Sequence, residues 1–84
     1  MSSDPRTQLR EYIQGFLNGN DRSINYVDRI EGLLIEKFAD TELFDELSPY
    51  LAMYRPGGGD QLYNENELAV EFRYVLDRFL STGG

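Results

Sequence analysis

Apolar residues recur along this chain at helical spacing, in four stretches parted by polar or glycine-bearing breaks. Leu9, Ile13, Phe16 and Leu17 fall at i, i+4, i+7 and i+8, which is one face of a helix. Asp4 or Ser3 is placed to cap that helix, and Pro5 to occupy its first turn, where a missing N–H costs nothing. Asn18-Gly19-Asn20 stops it, since Gly and Asn tolerate the left-handed conformation of a helix end. A second helix starts near Asp21 or Ser23. Its stripe is Val27, Ile30, Leu34 and Phe38, widened by Leu33 and Ile35, which predicts the most buried helix of the set. Asp40 or Thr41 caps a third, whose inner face is Leu43 or Phe44, Leu47, Leu51 and Tyr54. Pro49 lies inside that segment and removes a backbone donor, which predicts a kink or a break. Asn64 and Glu67 have the spacing of a capping box, and Leu68, Phe72, Val75, Leu76 and Phe79 complete the fourth stripe.

No stretch alternates as a strand would. Four short amphipathic helices with brief connections can bury their stripes only against one another. The expected fold is therefore all-α: an antiparallel four-helix bundle, third helix kinked or broken near Pro49. It forms a single domain over 1–84, with Ser81-Thr82-Gly83-Gly84 as a frayed tail.

Composition narrows the chemistry. A chain of 84 residues buries only about 60–65% of its unfolded surface, which leaves little room for a deep cleft. Cysteine and histidine are both absent, so disulfides, thiol nucleophiles, histidine bases and Cys/His zinc sites are excluded. We expect no enzyme, no metal and no cofactor. No apolar run approaches the ~18 residues that cross a bilayer, and the first residues lack the basic start and apolar stretch of a signal peptide. The expected location is the cytoplasm. Fifteen acids stand against eight bases, seven arginines and Lys37, for a net charge of −7. Such a field repels nucleic acid and anionic membrane and attracts basic partners. It also serves plain solubility.

Individual motifs were weighed against that background. Gly57-Gly58-Gly59 resembles a phosphate cradle, but it lacks a following lysine and leads into Asp60, Glu65 and Glu67; it reads as a turn. The segment 60–71 has the length of a calcium loop, yet Leu62 and Glu65 stand where a ligand and a glycine belong. Paired carboxylates for glycoside hydrolysis would need a cleft. Glu42, Asp45 and Glu46 share the outer face of the third helix. Their mutual repulsion, roughly 0.2–0.5 kcal/mol per pair, is offset by the dipole of the helix start, so these three alone need no function. Asp60, Glu65 and Glu67 surround the next helix start, and folding can bring both groups to one end of the bundle. Tyr50, Tyr54 and Tyr63 bracket the same loop. Carboxylates among tyrosines have the composition of a protein-binding surface. The candidate partner-binding residues are thus Asp45, Glu46, Tyr50, Tyr54, Asp60, Tyr63, Glu65 and Glu67, beside the alternative of a merely solvated face.

The segment Leu51-Ala52-Met53-Tyr54-Arg55-Pro56, followed by Tyr63 through Phe79, resembles the colicin D type of bacteriocin immunity proteins. Leu68, Val70, Glu71, Arg73, Leu76 and Phe79 match the pattern of that family's last helix, with Phe72 in place of a valine. Ile13-Gln14-Gly15-Phe16-Leu17 and the helix with Tyr26 and Arg29 agree more loosely. The resemblance implies an antiparallel four-helix bundle, a monomer when free, that binds a basic tRNA-cleaving toxin domain. Acidic side chains would cover its active site in place of tRNA phosphates. It puts Asp60, Glu65 and Glu67 near the plug and Asp45 and Glu46 at its flank. Gly57, Gly58 and Gly59 replace the acids the family places beside the proline, so the plugging residues stay open. Two other readings stay open as well: an acidic anti-defence inhibitor of phage type, and a helical adaptor.

Overall fold

The computed structural model describes residues 4–80, so Ser3 and the tail at 81–84 lie outside the described residues. Four helices follow one another: α1 (Pro5–Leu17), α2 (Ile24–Lys37), α3 (Glu42–Ala52) and α4 (Glu65–Arg78). Each begins where a side chain takes up an orphan N–H. Asp4 accepts from the Thr7 N–H at 2.8 Å, with Pro5 opening the helix. Ser23 accepts from the Tyr26 N–H at 3.2 Å. The Thr41 hydroxyl donates to the Phe38 carbonyl at 2.7 Å and accepts from the Phe44 N–H at 3.1 Å, ending one helix and starting the next. Asn64 and Glu67 close both bonds of the capping box at 2.9 Å.

The helices form a ring in which α1 packs on α2 and α4, and α3 on α2 and α4. Each contributes an apolar triplet to one core: Leu9, Ile13, Phe16; Val27, Ile30, Leu34; Leu43, Leu47, Leu51; Leu68, Phe72, Val75. The first two connections are short. The third, 53–64, is folded back on itself by bonds from the Arg55 N–H to the Tyr63 carbonyl and from the Tyr63 N–H to the Met53 carbonyl, both 2.9 Å. That closure sets the start of α4 beside the end of α3, so the two run antiparallel. No named strand occurs among the described residues.

One expectation needs correction. α2 is not the most buried helix: it buries three residues against four in α4, a helix of equal length, and its Ile35 is 58% exposed. It lies about 100° around the helix from Leu34, which turns it off the seam. Of the kink or break expected at Pro49, the break does not occur: α3 continues to Ala52. Pro49 and Asp45 both sit on its exposed side, where water can satisfy the carbonyl that loses its helical donor.

Phe16 is where the elements meet. Its ring packs edge-on against Phe72 at 5.0 Å and Tyr54 at 5.6 Å. The Tyr54 hydroxyl donates to the Arg22 carbonyl at 2.6 Å, and the Arg22 guanidinium donates to the carbonyls of Phe16 and Leu17 at 2.8 and 3.1 Å. Burial pushes the Tyr54 phenol up to about 12, consistent with a hydroxyl that stays protonated as a donor.

Gly15 lies in the last turn of α1, and glycine within a helix weakens it by up to about 1 kcal/mol relative to alanine. The reason is the Tyr26 phenol, which crosses it to donate to the Tyr12 carbonyl at 2.6 Å. A Cβ on Gly15 would collide with the Tyr26 hydroxyl while leaving the ring carbon beneath it at 3.4 Å, an ordinary contact. Gly15→Ala is expected to destabilise the protein by about 1–2 kcal/mol despite its better helix propensity. In a Tyr26→Phe background the same substitution is expected to stabilise by up to about 1 kcal/mol. Urea titration of the four variants reads the sign change directly.

Candidate functional site

The acids expected at one end of the bundle fall at two ends. Glu42, Asp45 and Glu46 open α3 and line a groove of about 290 Å3 with Tyr74, Arg78 and Phe79, the last turns of α4. Glu65 and Glu67 open α4. With α3 and α4 antiparallel, Glu42 and Glu65 are separated by most of the length of α4, about 20 Å, whereas Glu46 reaches Glu71 near the middle of that helix.

The acids at the α4 start are already engaged. Glu65 accepts from the Gly57 N–H at 2.9 Å, and that bond holds its carboxyl below the ordinary value. Glu67 accepts from the Asn64 N–H as half of the capping box. The glycine run has a conformational cause: Gly57 and Gly58 take φ of 84° and 79°, a pair of left-handed residues that side chains disfavour. A Cβ on Gly58 would also press on the capping Asn64 at 3.2 Å. Asp60 is exposed at the loop tip.

The tyrosines divide in the same way. Tyr54 is 3% exposed, with its hydroxyl bonded to Arg22, so it belongs to the core and not to an outer surface. Tyr50 and Tyr63 are half-buried and stacked, with ring centroids 4.7 Å apart and planes at 29°. They continue the α3–α4 seam toward the loop.

The centre of that seam is Glu71, an α4 residue absent from the sequence-based site. It is 6% exposed, and its Oε2 has no hydrogen-bond partner. Glu46 on α3 lies within hydrogen-bonding reach. Burial first, then the neighbouring Glu46, push the Glu71 carboxyl up to about 8, against an ordinary value of 4.5. The Glu71 carboxyl thus keeps its proton at neutral pH, beside the Glu46 carboxyl. The Glu71 charge in turn raises the Tyr50 phenol. Glu46 therefore turns into the seam, whereas Glu42 and Asp45 remain on the exposed face.

Little cation is available to neutralise this face. Among the described residues the one ion pair is Lys37 with Glu36, at 3.8 Å and exposed. Arg6 and Arg10 donate to the carbonyls of Phe79 and Leu80, and Arg22 to those of Phe16 and Leu17. Arg78 lies over the Phe79 ring at 5.6 Å. No cluster of three or more potential metal ligands occurs among the described residues, and no described helix is long and apolar enough to cross a membrane. A larger concavity of about 500 Å3, lined by Gln8, Glu11, Tyr12 and Tyr26, carries a single carboxylate. The arrangement at α3–α4 can accept cations.

Glu71 had a legible signal. It stands three residues after Leu68 and four before Val75, inside the apolar stripe, where a carboxylate must be buried or displace its helix.

Glu71→Gln replaces the protonated carboxyl by a neutral isostere. The unfolded chain releases that proton near 4.5 and the folded chain near 8, so the folded state binds more protons between those values. Wild-type stability is therefore expected to fall, relative to Glu71→Gln, as pH rises through this window. The two should match near pH 4 and differ by about 1–3 kcal/mol at pH 9, in favour of Glu71→Gln. Thermal unfolding of both proteins across pH checks it. Compared with known proteins, the chain matches no family model, no curated sequence and no solved structure.

Proposed function

We propose that this chain is a non-catalytic inhibitor that binds a basic protein domain through its α3–α4 face. The partner that fits best is a nuclease toxin of bacteriocin or contact-dependent type, whose cationic active site is built to hold RNA phosphates. One observation carries the reading: Glu42, Asp45 and Glu46 line a single groove in which Arg78 is the sole cation and no ion pair forms. Unpaired carboxylates on one face raise the rate at which a cationic partner arrives and fix its orientation. Tyr74 and Phe79 in the groove, and the Tyr50–Tyr63 stack beside it, supply the aromatic area typical of binding hot spots. The net charge of −7 opposes direct binding of nucleic acid. The resemblance to colicin D-type immunity proteins agrees with this function. Its plug, however, would sit at Asp60, Glu65 and Glu67, two of which are bonded to backbone N–H groups here.

The test is titration of a purified basic tRNA-cleaving toxin domain with the protein. Cleavage is expected to stop at one equivalent, with an association rate that drops steeply as salt rises. The triple variant Glu42→Gln, Asp45→Asn, Glu46→Gln is expected to bind about 10- to 100-fold more weakly. The pair Asp60→Asn, Glu67→Gln, which keeps the capping box, should change affinity less than about threefold. Unimpaired tRNA cleavage, or equal affinity of the triple variant, would count against the proposal.

A further inference from the structure

A buried carboxylate oxygen that accepts no bond is unusual enough to ask what it awaits. Glu71 is 6% exposed, its Oε2 accepts no bond, and the group within hydrogen-bonding reach of its carboxyl is a second carboxyl, Glu46. Buried polar atoms in folded proteins are nearly always bonded, because an unmade bond costs the full desolvation of the group. Glu46 also lines the groove that Glu42 and Asp45 rim, so it connects the buried Glu71 to an opening to solvent. Tyr74 and Phe79 of α4 line that groove, and Tyr50, stacked on Tyr63, lies near Glu71.

We infer that the Glu46–Glu71 pair is a socket for one guanidinium group of the partner. This rests on the reading that the α3–α4 face binds a basic domain, and it adds a location and a chemistry. A guanidinium presents planar N–H forks that match carboxylates two at a time and stacks on aromatic faces, whereas an ammonium is a compact, strongly hydrated point charge. A divalent cation fits less well, since calcium takes six to eight oxygens and the described residues offer no cluster of three ligands. The exchange is balanced. The Glu71 carboxylic acid gives its proton to solvent, both carboxylates then accept N–H bonds, and the guanidinium keeps its own charge.

The groups facing Glu71 fix the pH dependence. From α3 these are Glu46 and Tyr50; Tyr63 of the loop stacks on Tyr50, and Glu42, Asp45 and Arg78 line the groove that Glu46 also lines. On the α1 side Arg6 and Arg10 are bonded to the Phe79 and Leu80 carbonyls, about two turns beyond Glu71. Below about 8 the free protein holds the proton, so binding must release it and affinity rises with pH toward that value.

The probe is a hexa-arginine peptide added to the full chain at low salt, with the Glu71 carboxyl followed by carbon NMR through a pH titration. Saturating peptide is expected to lower the Glu71 midpoint by at least about one pH unit. Calorimetry in two buffers of different ionisation enthalpy should register the released proton. Glu71→Gln is expected to abolish that release and to weaken binding about tenfold at pH 8, against less than about threefold for the exposed Glu36→Gln. Peptide binding with an unmoved Glu71 midpoint overturns the socket and leaves the basic-partner reading standing. No peptide binding at all overturns both. A midpoint moved by calcium and not by peptide also overturns the socket, in favour of a metal.

Discussion

Cations are scarce in this molecule, and the fold takes several of them for the ends of its helices. Eight basic side chains accompany fifteen acids. Arg22 binds the last carbonyls of α1, and Arg6 and Arg10 bind the carbonyls that follow α4. These bonds satisfy acceptors that a helix terminus leaves orphaned, and the charge suits the negative end of the helix dipole. The three arginines thereby tie α1 to its neighbours. Their charge is committed to the backbone, which leaves five basic side chains beside fifteen acids and, among the described residues, one ion pair, Lys37 with Glu36. Stability of a small bundle and an unneutralised acidic surface thus have the same origin.

Glu71 is the point at which this arrangement opposes folding. It occupies a position in α4 that an apolar residue would fill at less cost, since Leu68, Phe72 and Val75 on the same stripe are fully buried. Its charge would be costly there, and the fold tolerates it by leaving the proton on until pH about 8. Residues that weaken a fold in this way are commonly kept for binding or regulation. Glu46 ties Glu71 to the groove rim, so a change at that rim reaches the core through a single contact.

Most of the fold was legible along the chain. The caps at Asp4, Ser23, Thr41 and Asn64 and the four apolar stripes follow from local rules of spacing and chain-end bonding. What misled was information that only packing supplies. Ile35 and Leu34 are both apolar, and the ring order of the helices decides which one faces inward. Pro49 removes a helical bond without ending α3, because the carbonyl it frees faces out to solvent. Tyr54 resembles an exposed anchor until its hydroxyl is seen to bond Arg22, far away in sequence. The two acidic groups were placed together by nearness along the chain, although antiparallel neighbours set successive helix starts at opposite ends. Glu46 belongs to the face it was assigned, but its partner Glu71 joins it only through tertiary contact.

The central claim is spatial: a cationic partner meets this protein on the seam between α3 and α4. Amide hydrogen exchange of the protein, alone and saturated with a basic tRNA-cleaving toxin domain, locates that contact directly. New protection confined to residues 42–50 and 70–79 is the expected result. Protection centred on α1 and α2, or a footprint spread evenly over all four helices, would contradict it.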